Sequence, residues 1–228
     1  MQPAVLVVNT GSSSHKCKLF SADRENPKTL WEGTLDWFID DGKVDLHARN
    51  GQEPPIDEWV DPKIDNPLKK LIGTINSPYS LAAIGHRVVH GGIIFHAAVR
   101  ITPEVKEGIR SLAPLAPLHN PANLKGIEEM EALFPTVPQF AVFDTSFHST
   151  IPSCAAEYPI PEHWRNFGIR RYGFHGISHC YCGNRAAAML NKNIDDTNTI
   201  TCHLGNGSSI AAIKGGVSID TSMGFTPL

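Results

Sequence analysis

The sequence predicts an α/β protein assembled from two related halves. Short β-branched runs bounded by Gly, Asn, Asp and Ser alternate with segments of helical spacing. An apolar strand running into a Gly-Ser turn occurs twice, as Val7-Val8-Asn9-Thr10-Gly11-Ser12-Ser13 and as Cys202-His203-Leu204-Gly205-Asn206-Gly207-Ser208-Ser209. The copies lie far apart in the chain, which suggests duplicated halves and not a short-period solenoid.

Residues 4–8 are a β-branched first strand, and 15–20 alternate as its hairpin partner across the turn. Residues 30–37 and 43–48 read as further antiparallel strands, separated by Asp40-Asp41-Gly42. A helix is expected within 56–75, after the Pro54-Pro55 break. Residues 82–89 read as a buried strand ending at His90-Gly91-Gly92. Residues 103–112 follow as a helix with Pro103 in its first turn, and 121–134 as a helix with Leu124, Ile127 and Leu133 on one stripe. Residues 139–143 form a strand that ends at Asp144. The segment 151–165 is rich in Pro and charge without clear periodicity, and it marks the expected boundary between a first domain, 1–149, and a second, 150–228. Within the second, 178–190 read as a helix, 199–204 as a strand and 209–214 as its hairpin partner.

The 228 residues suffice for one large domain or two modest ones. Apolar residues make up 41% and the formal charge is -3. No basic excess points to nucleic acid or an anionic membrane, and no apolar run is long enough to span a bilayer. The first apolar run has no basic region before it, so it reads as a strand and not a leader. Five cysteines without regular spacing argue for reduced thiols in a cytoplasmic protein.

Several short stretches carry chemistry. In NTGSSSHK, residues 9–16, glycine lets the backbone approach an anion, and N–H groups with serine hydroxyls make a cradle. Lys16 adds a point charge for phosphate. The spacing is not that of a Walker A loop, and a plain hairpin turn explains the segment equally well. HLGNGSS, residues 203–209, repeats the pattern. GHRVVHGG, residues 85–92, places Arg87 in a buried-looking strand, where a guanidinium needs a carboxylate or phosphate partner, internal or bound. Asp144 stands at a strand's C-terminal end, where α/β sheets bind ligands and where magnesium-phosphate chemistry needs an oxygen. A turn or N-cap aspartate is the plain alternative. Among eleven histidines, His119 lies in PLAPLHNPAN, and His175 and His179 lie in RYGFHGISH. The His175/His179 spacing is that of a zincin helix, but Gly176 stands where that helix carries its glutamate. Such histidines are core residues or donors to a transferring phosphoryl group.

NTGSSSHK, GHRVVHGG, PLAPLHNPAN, VFDTSFHSTIP, RRYGFHGISH, HLGNGSSIAAIKGG and DTSMGFTPL occur in the order and wording of the acetate kinases, and the chain resembles that family from Val5 to Leu228. The resemblance implies an actin-like ATPase (ribonuclease H-like) duplicated domain fold. ATP and a short carboxylate would meet in its cleft and give acetyl phosphate and ADP. It implies Asn9 as a magnesium ligand, and Lys16, Ser12 and His203, Leu204, Gly205, Asn206 and Gly207 as nucleotide contacts. Arg87 would bind the carboxylate, in an acyl pocket of Val89, Leu118, Phe174 and Pro227. Asp144 would be the catalytic acid, or position magnesium. His175 would stabilise the transition state, with His119 nearby. Thr10, His15 and Ile177 depart from the usual residues. The family continues past Thr-Pro-Leu into a second transition-state arginine, the adenine pocket and most of a homodimer interface. The stretch here is therefore expected to hold an incomplete second domain and to be nearly inactive alone. A propionate kinase, a non-catalytic remnant binding nucleotide or a partner, and a zinc hydrolase are the alternatives.

Overall fold

The computed structural model describes residues 1–11, 13–37, 42–76 and 79–226. They form two compact units. One comprises residues 1–87, 100–106 and 121–141, the other 88–99, 107–120 and 142–228.

The first unit is built on an eight-stranded mixed sheet. β1 (Gln2–Thr10), β2 (Ser14–Ser21), β3 (Thr29–Trp37), β4 (Val44–Asn50) and β5 (Ile56–Val60) form an antiparallel meander. β6 (Tyr79–Val88) adds to the other side of β1 in parallel, followed in the sheet by β8 (Gln139–Phe143) and the short β7 (Val99–Arg100). The period-2 alternation is strict. Ala4, Leu6 and Val8 are buried with Cys17, Leu19, Trp31, Leu35, Val44 and Leu46 on one face. α1 (Pro67–Gly73) closes this face with Leu68, Leu71 and Ile72, and Met130 of α3 (Asn120–Leu133) joins the same core. Each such fully buried leucine contributes about 1.5–3 kcal/mol. Gly33 is required here, because a Cβ would stand 2.6 Å from Trp31 and 2.7 Å from Leu71. α2 (Pro103–Ser111) begins at the proline predicted for it.

The helix expected within 56–75 is corrected. Residues Ile56–Val60 pair with β4 as an edge strand, and only Pro67–Gly73 is helical. The start falls there because the Asn66 side chain caps the Lys69 N–H at 2.9 Å and Pro67 pre-sets the first turn. The expected Asp40-Asp41 turn lies outside the described residues.

In the second unit β9 (Asn198–Leu204), β10 (Ser208–Lys214) and β11 (Val217–Thr221) form a three-stranded antiparallel sheet in the order β11-β10-β9. This repeats the β1–β2–β3 meander, with a three-residue connection at the same place, Gly205-Asn206-Gly207 against Gly11-Ser12-Ser13. α6 (Gly176–Met189) turns Gly176, His179, Gly183 and Ala187 inward. These positions share one helix face, and Gly183 allows approach to Ile213. The segment without periodicity contains two short helices, α4 (Ser153–Ala156) and α5 (Glu162–Asn166), each started by a preceding proline. The outer face of the three-stranded sheet carries exposed Ile200, Leu204 and Ile210.

His15 packs edge-on against Trp37 at 4.4 Å, and burial with Lys125 nearby lowers its pKa to about 4. A neutral imidazole is thus held where an aliphatic side chain suffices. His15→Leu is expected to leave the fold intact and to shift acid unfolding to lower pH, since one group that must charge on unfolding is removed. Circular dichroism against pH checks this; an unchanged acid midpoint would contradict it.

Candidate functional site

In the first unit the site is the carboxyl end of two parallel strands. Asn9 is the penultimate residue of β1 and Arg87 of β6, and Arg87 Nη1 donates to Asn9 Oδ1 at 3.1 Å. Asn9 lies opposite Lys16 of β2 in register. Asn9 alternates with buried Val8 and Thr10, and Arg87 with buried His86 and Val88. Asn9, Lys16 and Arg87 therefore share the face opposite the core, with a lysine and a guanidinium flanking the Gly-Ser turn. α3 fixes the end of β1. Asn123 Nδ2 donates to the Thr10 carbonyl at 2.5 Å, and at Gly126 a Cβ would stand 2.4 Å from the Thr10 side chain. The closely packed helix holds the end of β1 in place. Gly11 N–H donates to the Ser14 carbonyl at 2.8 Å, while Ser12 lies outside the described residues.

Beneath Arg87, His86 donates to Gln139 at 2.7 Å, and burial drives its pKa down to about 4. It is a neutral core histidine.

In the second unit Asp144 follows β8 and is 2% exposed. Its backbone is held on both sides, the N–H by the Val88 carbonyl at 3.0 Å and the carbonyl by Gly176 N–H at 2.8 Å. A Cβ on Gly176 would meet that carbonyl at 2.3 Å, so only glycine lets α6 begin here. The expected start at 178 is corrected to Gly176 for this reason. His175 stands just before it in the left-handed region, φ 58° and ψ 21°. Its ring stacks on His203 at 3.9 Å, and Gly207 faces it, with a Cβ there 3.2 Å from His175 Cε1. The Gly205–Gly207 turn is thus laid against His175.

Around this pair are histidines whose neutral state is enforced. His148 Nε2 donates to the Phe174 carbonyl at 3.1 Å and its Nδ1 accepts from Ser218 at 2.8 Å. Burial lowers its pKa. His179 has both ring nitrogens on hydroxyls, those of Thr201 and Ser209. Burial, helped by His148, His175 and His203, brings it to about 4. Among the described residues no group of three or more His, Cys, Asp or Glu side chains is arranged to hold a metal.

Val89 and Phe174 meet in one apolar cluster with Ala116, Tyr172 and Met223. Leu118 is 71% exposed and Pro227 lies outside the described residues. His119 lies half-buried immediately before α3, its N–H on the Ala116 carbonyl at 3.0 Å. Sequence reasoning did not single out Asn120. Its Oδ1 accepts from His90 N–H at 3.1 Å and its Nδ2 donates to the His90 carbonyl at 3.0 Å. This clamp fixes the backbone beside Val89. Asn120→Ala leaves two buried backbone groups unmatched and is expected to cost about 2–4 kcal/mol in urea unfolding; a loss below about 0.5 kcal/mol would contradict it.

Two glycine-bearing turns, each following the first strand of a meander, mark an α/β protein with a repeated strand–turn–strand unit. The acetokinase family model matches residues 4–228. The acetate kinase of Cyanothece sp. is 47% identical over 238 residues, spanning 98% of this chain and 58% of that protein. The crystal structure of Porphyromonas gingivalis acetate kinase superposes with a TM-score of 0.88 at 40% identity, over 99% of this chain and 58% of that one. A propionate kinase from Francisella tularensis gives 0.83 at 39% identity with the same coverage. The chain spans under three-fifths of the length of these relatives. It belongs to the acetokinase family.

Proposed function

We propose that the protein transfers a phosphoryl group between ATP and acetate, giving acetyl phosphate and ADP. The observation that carries this is the placement of Arg87, Asn9 and Lys16 on one sheet face beside the Gly-Ser turn. A guanidinium suits a carboxylate, and a lysine beside a glycine turn suits a phosphate. Their work is positioning and neutralising two anions in line. In the second unit His203 to Gly207 would cradle nucleotide phosphate. His175 would donate to the transferring group, with His119 nearby and Asp144 the acid. Val89 and Phe174 would face the acyl methyl. Magnesium fits as a nucleotide-borne ion, since Asn9 Oδ1 keeps one lone pair after accepting from Arg87. Such an ion takes one or two protein oxygens and fills the rest with phosphate and water. It would neutralise phosphate charge.

We read the chain as an N-terminal domain, 1–149, and the beginning of a second, 150–228, supported by the repeated meander. A cytoplasmic homodimer is the expected setting, with neither membrane nor nucleic acid as partner. No helix among the described residues is long and apolar enough to cross a membrane.

Propionate is the second reading, favoured by the similarity to the Francisella propionate kinase. One methylene is worth only about 1–3 kcal/mol, so the kcat/KM ratio for the two acids decides.

The binding half is tested by titrating sodium acetate against the Arg87 Nε–H resonance, with sodium chloride as control. A saturable shift specific to acetate is expected, and it disappears in Arg87→Ala. Identical responses to both salts would contradict the carboxylate assignment.

A further inference from the structure

The second unit holds a cavity of about 30 Å³ bounded by residues 92–96, 145–149 and 170–172. That volume takes about two water-sized atoms. Two arginines, Arg170 and Arg171, line it together with Thr145, Tyr172 and His148. His96 and Ser149 are exposed members of the same wall. No Asp or Glu is among the lining residues. None of these side chains has a part in the nucleotide, carboxylate or acyl contacts proposed above.

The wall is rich in unspent donors. Thr145 is 4% exposed, and its Oγ1 accepts from Gly91 N–H at 3.0 Å. Among the described residues its own hydroxyl proton meets no acceptor. Arg171 donates from Nη1 to the Thr221 carbonyl and lies 3.8 Å from the Asp220 carboxylate, but its Nε is buried with no partner among the described residues. Arg170 is half-buried and makes neither an ion pair nor a side-chain hydrogen bond among the described residues. Glu157 stands opposite Arg170 in an isolated bridge, yet its carboxylate is paired with Arg165 at 3.2 Å. The Arg170 charge acts on the cavity wall, since it works against the rise that burial gives the Tyr172 phenol. His148 and Tyr172 add shape and no donors. Both His148 nitrogens are engaged, with the Phe174 carbonyl and the Ser218 hydroxyl, and the Tyr172 hydroxyl donates to the Gly168 carbonyl at 2.8 Å. A guanidinium partly withdrawn from water and a buried N–H without acceptor are each unfavourable until an acceptor joins them.

We propose that this cavity is a binding site for a small monovalent anion, a halide or a single carboxylate group, with Arg170 as its principal cation. Charge sets the sign of the ligand, because the lining offers guanidinium and hydroxyl donors and no carboxylate. Volume sets its size. One chloride or the two oxygens of a carboxylate fill the space of about two waters, whereas the four oxygens of phosphate or sulfate exceed it. The anion would join residues 145–149 to residues 170–172, the stretches that follow Asp144 and precede Phe174 and His175. Its occupancy therefore stabilises the second unit. The proposal does not depend on the phosphoryl-transfer reading.

The test follows thermal unfolding in sodium isethionate, whose anion is too bulky for the cavity, while chloride or formate replaces isethionate at constant ionic strength. Tm is expected to rise saturably with at least one small anion, by about 3–5 °C at ten times its dissociation constant. A response to chloride alone identifies a halide site, and a response to formate alone a carboxylate site. Arg170→Gln should lose most of the rise, and in isethionate it should melt no lower than the parent, because the charge it removes has no internal partner. Arg170→Lys keeps a cation and should keep part of the rise. Arg87→Ala should retain the portion that Arg170→Gln removes, which separates this site from the carboxylate contact proposed at Arg87. Equal Tm values in small and bulky anions overturn the proposal, as does a rise without saturation. A full rise in Arg170→Gln, or loss of that portion in Arg87→Ala, also overturns it. If Arg170→Gln does not fold, the parent's response to the three anions and that of Arg170→Lys still decide.

Discussion

Gly176→Ala is expected to destabilise the protein by about 3 kcal/mol, at the upper end of overpacking costs. The new methyl would stand 2.3 Å from the Asp144 carbonyl oxygen and 2.9 Å from Phe147 Cβ. The first obstacle is backbone, held by its own hydrogen bonds, so it cannot rotate away. Relief requires α6 to retreat. That breaks the 2.8 Å bond from Gly176 N–H to Asp144 and moves His175, the residue just before the helix. Under the donor role proposed for His175, a displacement of about 1 Å costs on the order of 100-fold in rate. Urea stability, and the turnover of the chain once joined to the C-terminal part of an acetate kinase, should therefore fall together. A variant within about 0.5 kcal/mol of the parent would show that the helix start is not pinned on Asp144.

The second large effect is loss of stability in acid. His86, His90 and His179 are buried, and burial lowers each pKa to about 4 from an ordinary 6.5. The unfolded chain binds protons that the folded chain refuses between those values. Stability is therefore fully present above about pH 6.5 and is lost as pH falls towards 4. Each histidine contributes at most about 3 kcal/mol over that window. His86→Gln removes one such group while keeping an amide able to reach Gln139. Its urea midpoint should fall less steeply between pH 6.5 and pH 4.5 than the parent's. Parallel pH dependences would contradict a neutral, buried His86.

The parts of the fold legible in the sequence were those set by local pattern. Alternation in β1, β2 and β3 and the stripe of α3 follow from burial on one face. The repeated Gly-Ser turn announced the repeated meander. What escaped was set by distant partners. Ile56–Val60 is exposed along most of its length and holds its conformation through pairing with β4. The start of α6 at a glycine is unfavourable by propensity and is decided by the approach to Asp144. β11 is short and borders an open edge, with only Ser218 and Thr221 turned inward. Of the candidate site, Asp144 was legible at a strand's C-terminal end, Arg87 as a cation within a buried-looking strand, and Asn9 as the start of the Gly-Ser turn. Asn120 and the hydroxyls of Thr201 and Ser209 were not, because a buried side chain that satisfies another polar group leaves no sequence period.

Hydroxylamine trapping of acyl phosphate tests the central claim most directly. The chain is completed with the corresponding C-terminal part of a curated acetate kinase and supplied with ATP, magnesium and acetate, with Asp144→Asn run beside it. Acetyl hydroxamate is expected from the completed protein, at a rate that falls on the order of 100-fold or more in Asp144→Asn. Equal rates in the two proteins would show that the residues assembled here do not carry the chemistry.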